Sequence, residues 1–68
     1  MGYIGTGQER VLWAAAALVE REHGRNGERI ISGIIDQLIR EDDVKGVELW
    51  VKVAERYERL AGQRGSAN

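Results

Sequence analysis

The side chains that could do chemistry in this 68-residue chain are few and lie far apart along it. His23 is the single imidazole, and there is no cysteine. A zinc site of the usual Cys/His type needs several such ligands, and a nucleophile needs a base beside it. We therefore assign His23 no catalytic or metal-binding role and expect its imidazolium to interact with the C-terminal dipole of a helix.

Two further sequence patterns contain residue types found in functional sites but lack the other residues that such sites require. Asp42 and Asp43 are adjacent carboxylates, which suit acid/base work or a divalent cation, but they also suit the start of a helix, and we assign them that capping role. Gly5 and Gly7 enclose Thr6, yet the third glycine of a dinucleotide loop is missing. No set of nucleophile, base and charge stabiliser converges, so we expect no enzyme, no cofactor and no small-molecule substrate.

Composition describes a chain that folds as one domain with a small core. Hydrophobic residues make up 43% of it and charged residues 31%. The formal net charge of −1 disfavours nucleic acid and anionic membrane as partners. The longest uncharged run, residues 11–19, is about half of the roughly 18–20 residues that cross a bilayer. Because no secretory leader is visible, we expect a cytoplasmic location.

Glycine clusters divide the chain into segments whose apolar residues recur at steps of three and four, which is the helical period. Thr6 is the expected N-cap of the first helix, and Gly24 is expected to end it in the left-handed conformation. Asn26 is the expected N-cap of the second helix. The sequence therefore predicts an all-α fold, a three-helix bundle with helices at about 7–23, 27–41 and 43–61.

The domain is expected to cover residues 1–61, and residues 62–68 are expected to form a flexible tail because little in them is apolar. The second and third predicted helices carry apolar faces wider than one small core can cover. With no disulfide or zinc site to add stability, association with another chain remains. We predict a homodimer, or a complex with another protein, and the candidate interface residues are Trp13, Ala16, Ile31, Ile35, Trp50 and Tyr57.

Several of these positions have two interpretations. Trp50 lies on the main apolar stripe of its helix, which favours a place in the core. Trp13 borders the stripe of the first helix and suits either the core or a second surface. The alanine run at 14–17 allows another helix to approach closely, and it also has high helix propensity. Gly33, inside the second helix, is explained equally by close packing over it and by a surface position.

A non-enzymatic protein-interaction or assembly module, acting as a homodimer, is the function that the sequence favours. The alternative is a small DNA-associated regulator in which the second and third helices act as a helix-turn-helix. Such a regulator needs a basic recognition face. The third helix instead carries Glu48, Glu55 and Glu58 among its basic residues, and Glu55 is expected to pair with Arg59. We therefore expect no nucleic-acid partner.

Short motifs between residues 12 and 60 resemble those of a known family. They are Leu12-Trp13, Val19-Glu20-Arg21-Glu22-His23-Gly24, Gly46-Val47 with Trp50, and Val53-Ala54-Glu55-Arg56-Tyr57 with Leu60. In their order and spacing the chain is similar to small helical proteins of unknown function encoded in alphaproteobacteria of the sphingomonad type. Residues 1–6 do not align with that pattern. The resemblance implies a bacterial, cytoplasmic helical protein with no assigned activity and no known site.

Overall fold

The computed structural model of the chain describes the backbone of residues 3–65 and the side chains of residues 8–62. Helix α1 spans Tyr3–His23, α2 spans Gly27–Arg40 and α3 spans Val44–Gly65. A 3-10 turn over Gly24–Asn26 joins α1 to α2. The backbone of residues 3–65 contains no strand, and the predicted all-α class is confirmed.

The number of separate helices differs from the prediction of three. The backbone N–H of Gly27 donates to the carbonyl of Gly24, which is the hydrogen bond of a 3-10 turn, and it continues the helical backbone from α1 into α2. The described backbone therefore consists of two uninterrupted helical stretches, 3–40 and 44–65. The predicted three-helix count is not confirmed, because the bend lies inside the first stretch.

Several predicted helix ends need correction. α1 begins at Tyr3, so Thr6 lies inside the helix and does not cap it. Extending a helix costs less than starting one, which explains why a capping signal one turn inside does not set its start. Asn26 occupies the N-cap of α2, but its side chain makes no capping hydrogen bond. α3 continues to Gly65, and residues 66–68 of the predicted tail lie outside the described part of the chain.

Two local predictions are confirmed. Gly24 has a φ of 56°, the left-handed conformation expected at the end of α1. Asp43 accepts a hydrogen bond from the backbone N–H of Gly46 through Oδ1, at 2.9 Å, and so caps the start of α3. These two residues set the ends of the elements that carry the surfaces described below.

The end of α2 has a form that the sequence did not lead us to expect. Asp42 has a φ of 61°. Its backbone N–H donates to the carbonyl of Ile39 at 3.0 Å, and the N–H of Asp43 donates to the carbonyl of Leu38 at 2.9 Å. This is a Schellman motif, in which glycine usually holds the left-handed position. An L side chain there costs about 1 kcal/mol.

The core lies where the three helical segments meet. Among the described side chains the buried hydrophobic ones are Leu12, Ala16, Val19, Ile31, Val53 and Tyr57. Half-buried residues pack around them, including Ile35, Trp50 and Leu60. Each α-helix contributes side chains to this core cluster. The size of the cluster therefore depends on how the three helices cross. The outer faces of α1 and of the α2–α3 connection are left without cover.

Candidate interaction surface

Arg56 bridges α3 to α1 and fixes how the two helices cross. Its Nε donates to Oε1 of Glu9 at 3.1 Å, and its Nη2 donates to Oε2 of the same carboxylate. The guanidinium carbon lies 5.8 Å from the centroid of the Trp13 ring, within the range of a cation–π contact. Only 13% of the Arg56 side chain is exposed. Arg56 is therefore a structural link and offers little surface to a partner.

The electrostatics of this link follow from its hydrogen bonds. The bond from Arg56 lowers the pKa of Glu9, although desolvation of that carboxylate acts in the opposite direction. The same bond raises the pKa of Arg56. Glu55 was expected to pair with Arg59, but its Oε1 instead accepts a bond from Nη1 of Arg56 at 3.4 Å. The guanidinium of Arg56 thus has one acidic partner on α1 and one on α3.

Tyr57 fixes the corner between α1 and α2. Its hydroxyl donates to the carbonyl of Gly24 at 2.5 Å. Its ring packs directly on Gly27, where an added Cβ would lie 2.5 Å from Cε1 of the ring. Gly27 is buried, so only a residue without a side chain allows the ring this close. This contact was not predictable from the sequence, because its partners are far apart along the chain.

Three of the predicted interface residues lie in the core of the single chain. Ala16, Ile31 and Tyr57 are 0%, 2% and 5% exposed, respectively. Their side chains are surrounded by other residues of the same chain, and a partner would not reach them in this conformation. In the single chain these three residues serve the core, and their part in an interface stays a prediction.

The other three predicted interface residues are half-buried. Ile35 and Trp50 pack against the core cluster, and Trp13 lies beneath Arg56. Each keeps some exposed area, and its part in an interface stays a prediction. Gly33 is exposed, and an added Cβ there would meet nothing within 4 Å. Close packing thus does not explain Gly33, which occupies a surface position.

The outer face of α1 is the first apolar surface. We define the α1 face as Val11, Ala14, Ala17 and Leu18, with Arg10 and Arg21 at its rim. Val11 is 57% exposed and Leu18 47%. Ala14, Ala17, Leu18 and Arg21 line a shallow groove of about 310 Å³. The groove exists because the alanines, as methyl groups, leave space between larger neighbours.

The connection between α2 and α3 is the second apolar surface. We define the α2–α3 corner as Ile39, Val44 and Val47, with Glu41, Asp42 and Asp43 at its rim. Ile39 is 59% exposed and Val44 62%. The three apolar residues, with Asp42 and Asp43, line a cleft of about 240 Å³. The Schellman motif and the Asp43 cap bring the ends of the two helices together and so create this surface.

A signal for the α1 face was present in the sequence. Val11, Ala14 and Leu18 recur at steps of three and four on the side opposite Leu12 and Val19. The stripe that contains Leu12 was predicted, but this second apolar stripe of α1 was not distinguished from it. The α2–α3 corner has no comparable periodic signal, because Ile39 and Val44 belong to different helices and meet only through the turn between them.

Metal ligands and unpaired buried polar groups were sought among the described residues. No group of three or more acidic or histidine side chains in residues 8–62 is placed to hold a metal ion. Every buried side-chain nitrogen or oxygen in that range has a hydrogen-bond partner, so none is aimed at an absent ligand. In the same part of the chain, no helix has the length and apolar character needed to span a bilayer.

Comparison with known proteins finds one family. The model of a Family of unknown function (DUF6961) matches residues 8–65, which include the Arg56 link, the α1 face and the α2–α3 corner. No curated protein and no solved structure matches the chain.

Proposed function

The chain belongs to this family of unknown function, and from that premise we propose that it is a non-enzymatic protein-interaction or assembly module that forms a homodimer. The observation that carries the proposal is the exposed apolar surface that the described core leaves uncovered on the α1 face and at the α2–α3 corner.

The exposed apolar side chains support the same proposal. Six large ones are exposed in the described part of the chain: Val11, Leu18, Ile39, Val44, Leu49 and Val51. Single exposed apolar residues are normal, but groups of them on one face mark interaction sites. Burying such surface contributes about 25 cal/mol per Å². Association would therefore add the stability that a core of this size lacks.

The proposal extends to the subunit and its setting. We take the subunit as a three-helix bundle in which the bend at Gly24–Asn26 separates the first two helices, and we place it in a bacterial cytoplasm, as the sequence resemblance implies. The DNA-binding alternative is less well supported. Arg56 is held by Glu9, and the exposed face of α3 alternates Glu48 and Glu55 with basic residues.

Sedimentation equilibrium of the full chain tests the proposal. At tens of micromolar we expect a mass twice the 7.6 kDa of one chain, with dissociation on dilution. Because a partner that binds only the folded chain stabilises it, the thermal midpoint should also rise with protein concentration. A mass of one chain across the whole concentration range, with a constant thermal midpoint, would show that the protein acts alone.

A further inference from the structure

The α1 face has an open groove, and the α2–α3 corner has exposed apolar side chains. Ala14 and Ala17 leave a groove of about 310 Å³ beside Leu18. At the corner, Ile39 and Val44 are the most exposed large apolar residues of the described chain. Small side chains on a helix face allow a neighbouring ridge to approach closely. The groove on the α1 face therefore leaves room for an apolar side chain of another molecule.

The rim of the α1 face is basic. Arg10 and Arg21 are both exposed, and neither takes part in an ion pair among the described residues. Glu22 borders the same end of α1 and leaves the face with a net positive charge. Two copies of this face brought together would place arginine near arginine, which is unfavourable at an interface.

The rim of the α2–α3 corner is acidic. Glu41, Asp42 and Asp43 are consecutive and exposed, and with nearby Arg40 and Lys45 counted the corner still has a net negative charge. Asp43 uses one carboxylate oxygen to cap α3, and Glu41 accepts a hydrogen bond from Nε2 of Gln37 at 2.9 Å, so Asp42 is the most available charge of the three. Two corners brought together would again place like charges against each other. Each surface thus repels the same surface of a second copy and attracts the other surface.

We propose that the α1 face of one copy binds the α2–α3 corner of a second copy of this chain. The inference rests on the proposed homodimer and adds the contact through which it forms. Ile39 and Val44 occupy the groove over Ala14 and Ala17, and the arginines of α1 meet the carboxylates of the corner. In a two-fold dimer this contact occurs twice, once in each direction, so two modest patches together form the interface.

Charge reversal on the full chain tests the contact. We expect Arg21→Glu alone, and Asp42→Lys alone, each to weaken self-association by about tenfold or more, because each places like charges together at both contacts. An equimolar mixture of the two variants should associate again, since one contact then has the reversed pair and the other the native pair. The chain carrying both substitutions should recover self-association for the same reason. Dissociation constants come from sedimentation equilibrium.

Two controls keep the test specific. Arg29→Glu reverses an exposed arginine of α2 outside both surfaces and should leave association unchanged. Glu41→Lys reverses the corner without altering the left-handed residue, and it replaces Asp42→Lys if thermal unfolding shows that variant to be misfolded. If the native chain dimerises but the single variants dimerise equally well, or the mixture does not recover, this contact is wrong and the homodimer stands. If the native chain is monomeric, both proposals fail.

Discussion

Asp42 holds a helix end in a conformation that glycine would hold at lower cost. Replacing Asp42 by Gly removes the strain at a φ of 61° while the unfolded chain gains some freedom, so we expect a net gain of about 0.5–1 kcal/mol in the free energy of unfolding. Urea unfolding in dilute solution, where the chain is monomeric, measures it. Asp42→Ala keeps the strain and should not show the gain. A glycine variant less stable than the native chain would contradict this account of the helix end.

Glu9 is expected to make stability depend on acid pH. Its pKa is lowered in the folded chain, first by the hydrogen bond from Arg56, so its contribution is present above its unfolded pKa of about 4.3 and is lost as pH falls through the folded value. The stability difference between the native chain and Glu9→Gln should thus shrink between neutral pH and about pH 3. Thermal unfolding across that range measures it.

The control for this pH dependence is Glu58→Gln, at an exposed carboxylate of α3 with no ion pair among the described residues. The stability difference between the native chain and Glu58→Gln should change less across the same pH range. Equal behaviour of the two variants would mean that the Arg56 bond contributes nothing to the acid sensitivity of the fold.

Residue-scale features were predictable where they depend on neighbours in sequence. The left-handed Gly24 and the Asp43 cap were both predicted, since a helix end is decided within one turn. The pairing of Glu9 with Arg56 was not predicted, because it depends on where α1 and α3 cross. Glu55 illustrates the difference. Its expected partner was Arg59, one helical turn away, but its carboxylate accepts a hydrogen bond from Arg56, which Glu9 of α1 holds in place.

At the scale of elements, two glycines in α2 should respond oppositely to alanine. Gly27→Ala places a methyl group against the buried Tyr57 ring and displaces its bond to Gly24, which should cost about 1–3 kcal/mol. Gly33→Ala meets open space and should gain about 0.5–1 kcal/mol through helix propensity. Urea unfolding of both variants under the same conditions gives the comparison. Effects of the same sign would show that the corner tolerates movement of Tyr57.

The elements themselves were largely predictable, and their ends less so. Apolar spacing placed α2 and α3 within a few residues of their observed bounds, because each must turn one face to the core. The continuous backbone through Gly24–Asn26 was not predicted. A left-handed glycine ends an α-helix, but a 3-10 hydrogen bond just beyond it let the helical backbone continue into α2. The Gly24 carbonyl that accepts this bond also accepts one from the Tyr57 hydroxyl of α3.

At the scale of the molecule, the chain is flat. Its extents are 40 × 35 × 16 Å, and its radius of gyration of 12.7 Å exceeds the roughly 11 Å expected for a compact chain of this length. A thin molecule cannot enclose many side chains, which explains why the core is small and why apolar residues remain outside. The sequence predicted this surplus from the width of its apolar stripes. It did not predict which faces carry the surplus, because that is decided by the way the helices cross.

The hydrogen bond from Tyr57 to Gly24 joins residues 33 positions apart, and this has a consequence for synthesis on the ribosome. Translation completes both helices that flank the corner well before it adds the tyrosine that holds them. A nascent chain that ends before Tyr57 therefore lacks this bond across the bend between α1 and α2, because α3 supplies it. The contribution of this bond to the angle between α1 and α2 is thus added after translation has passed both helices.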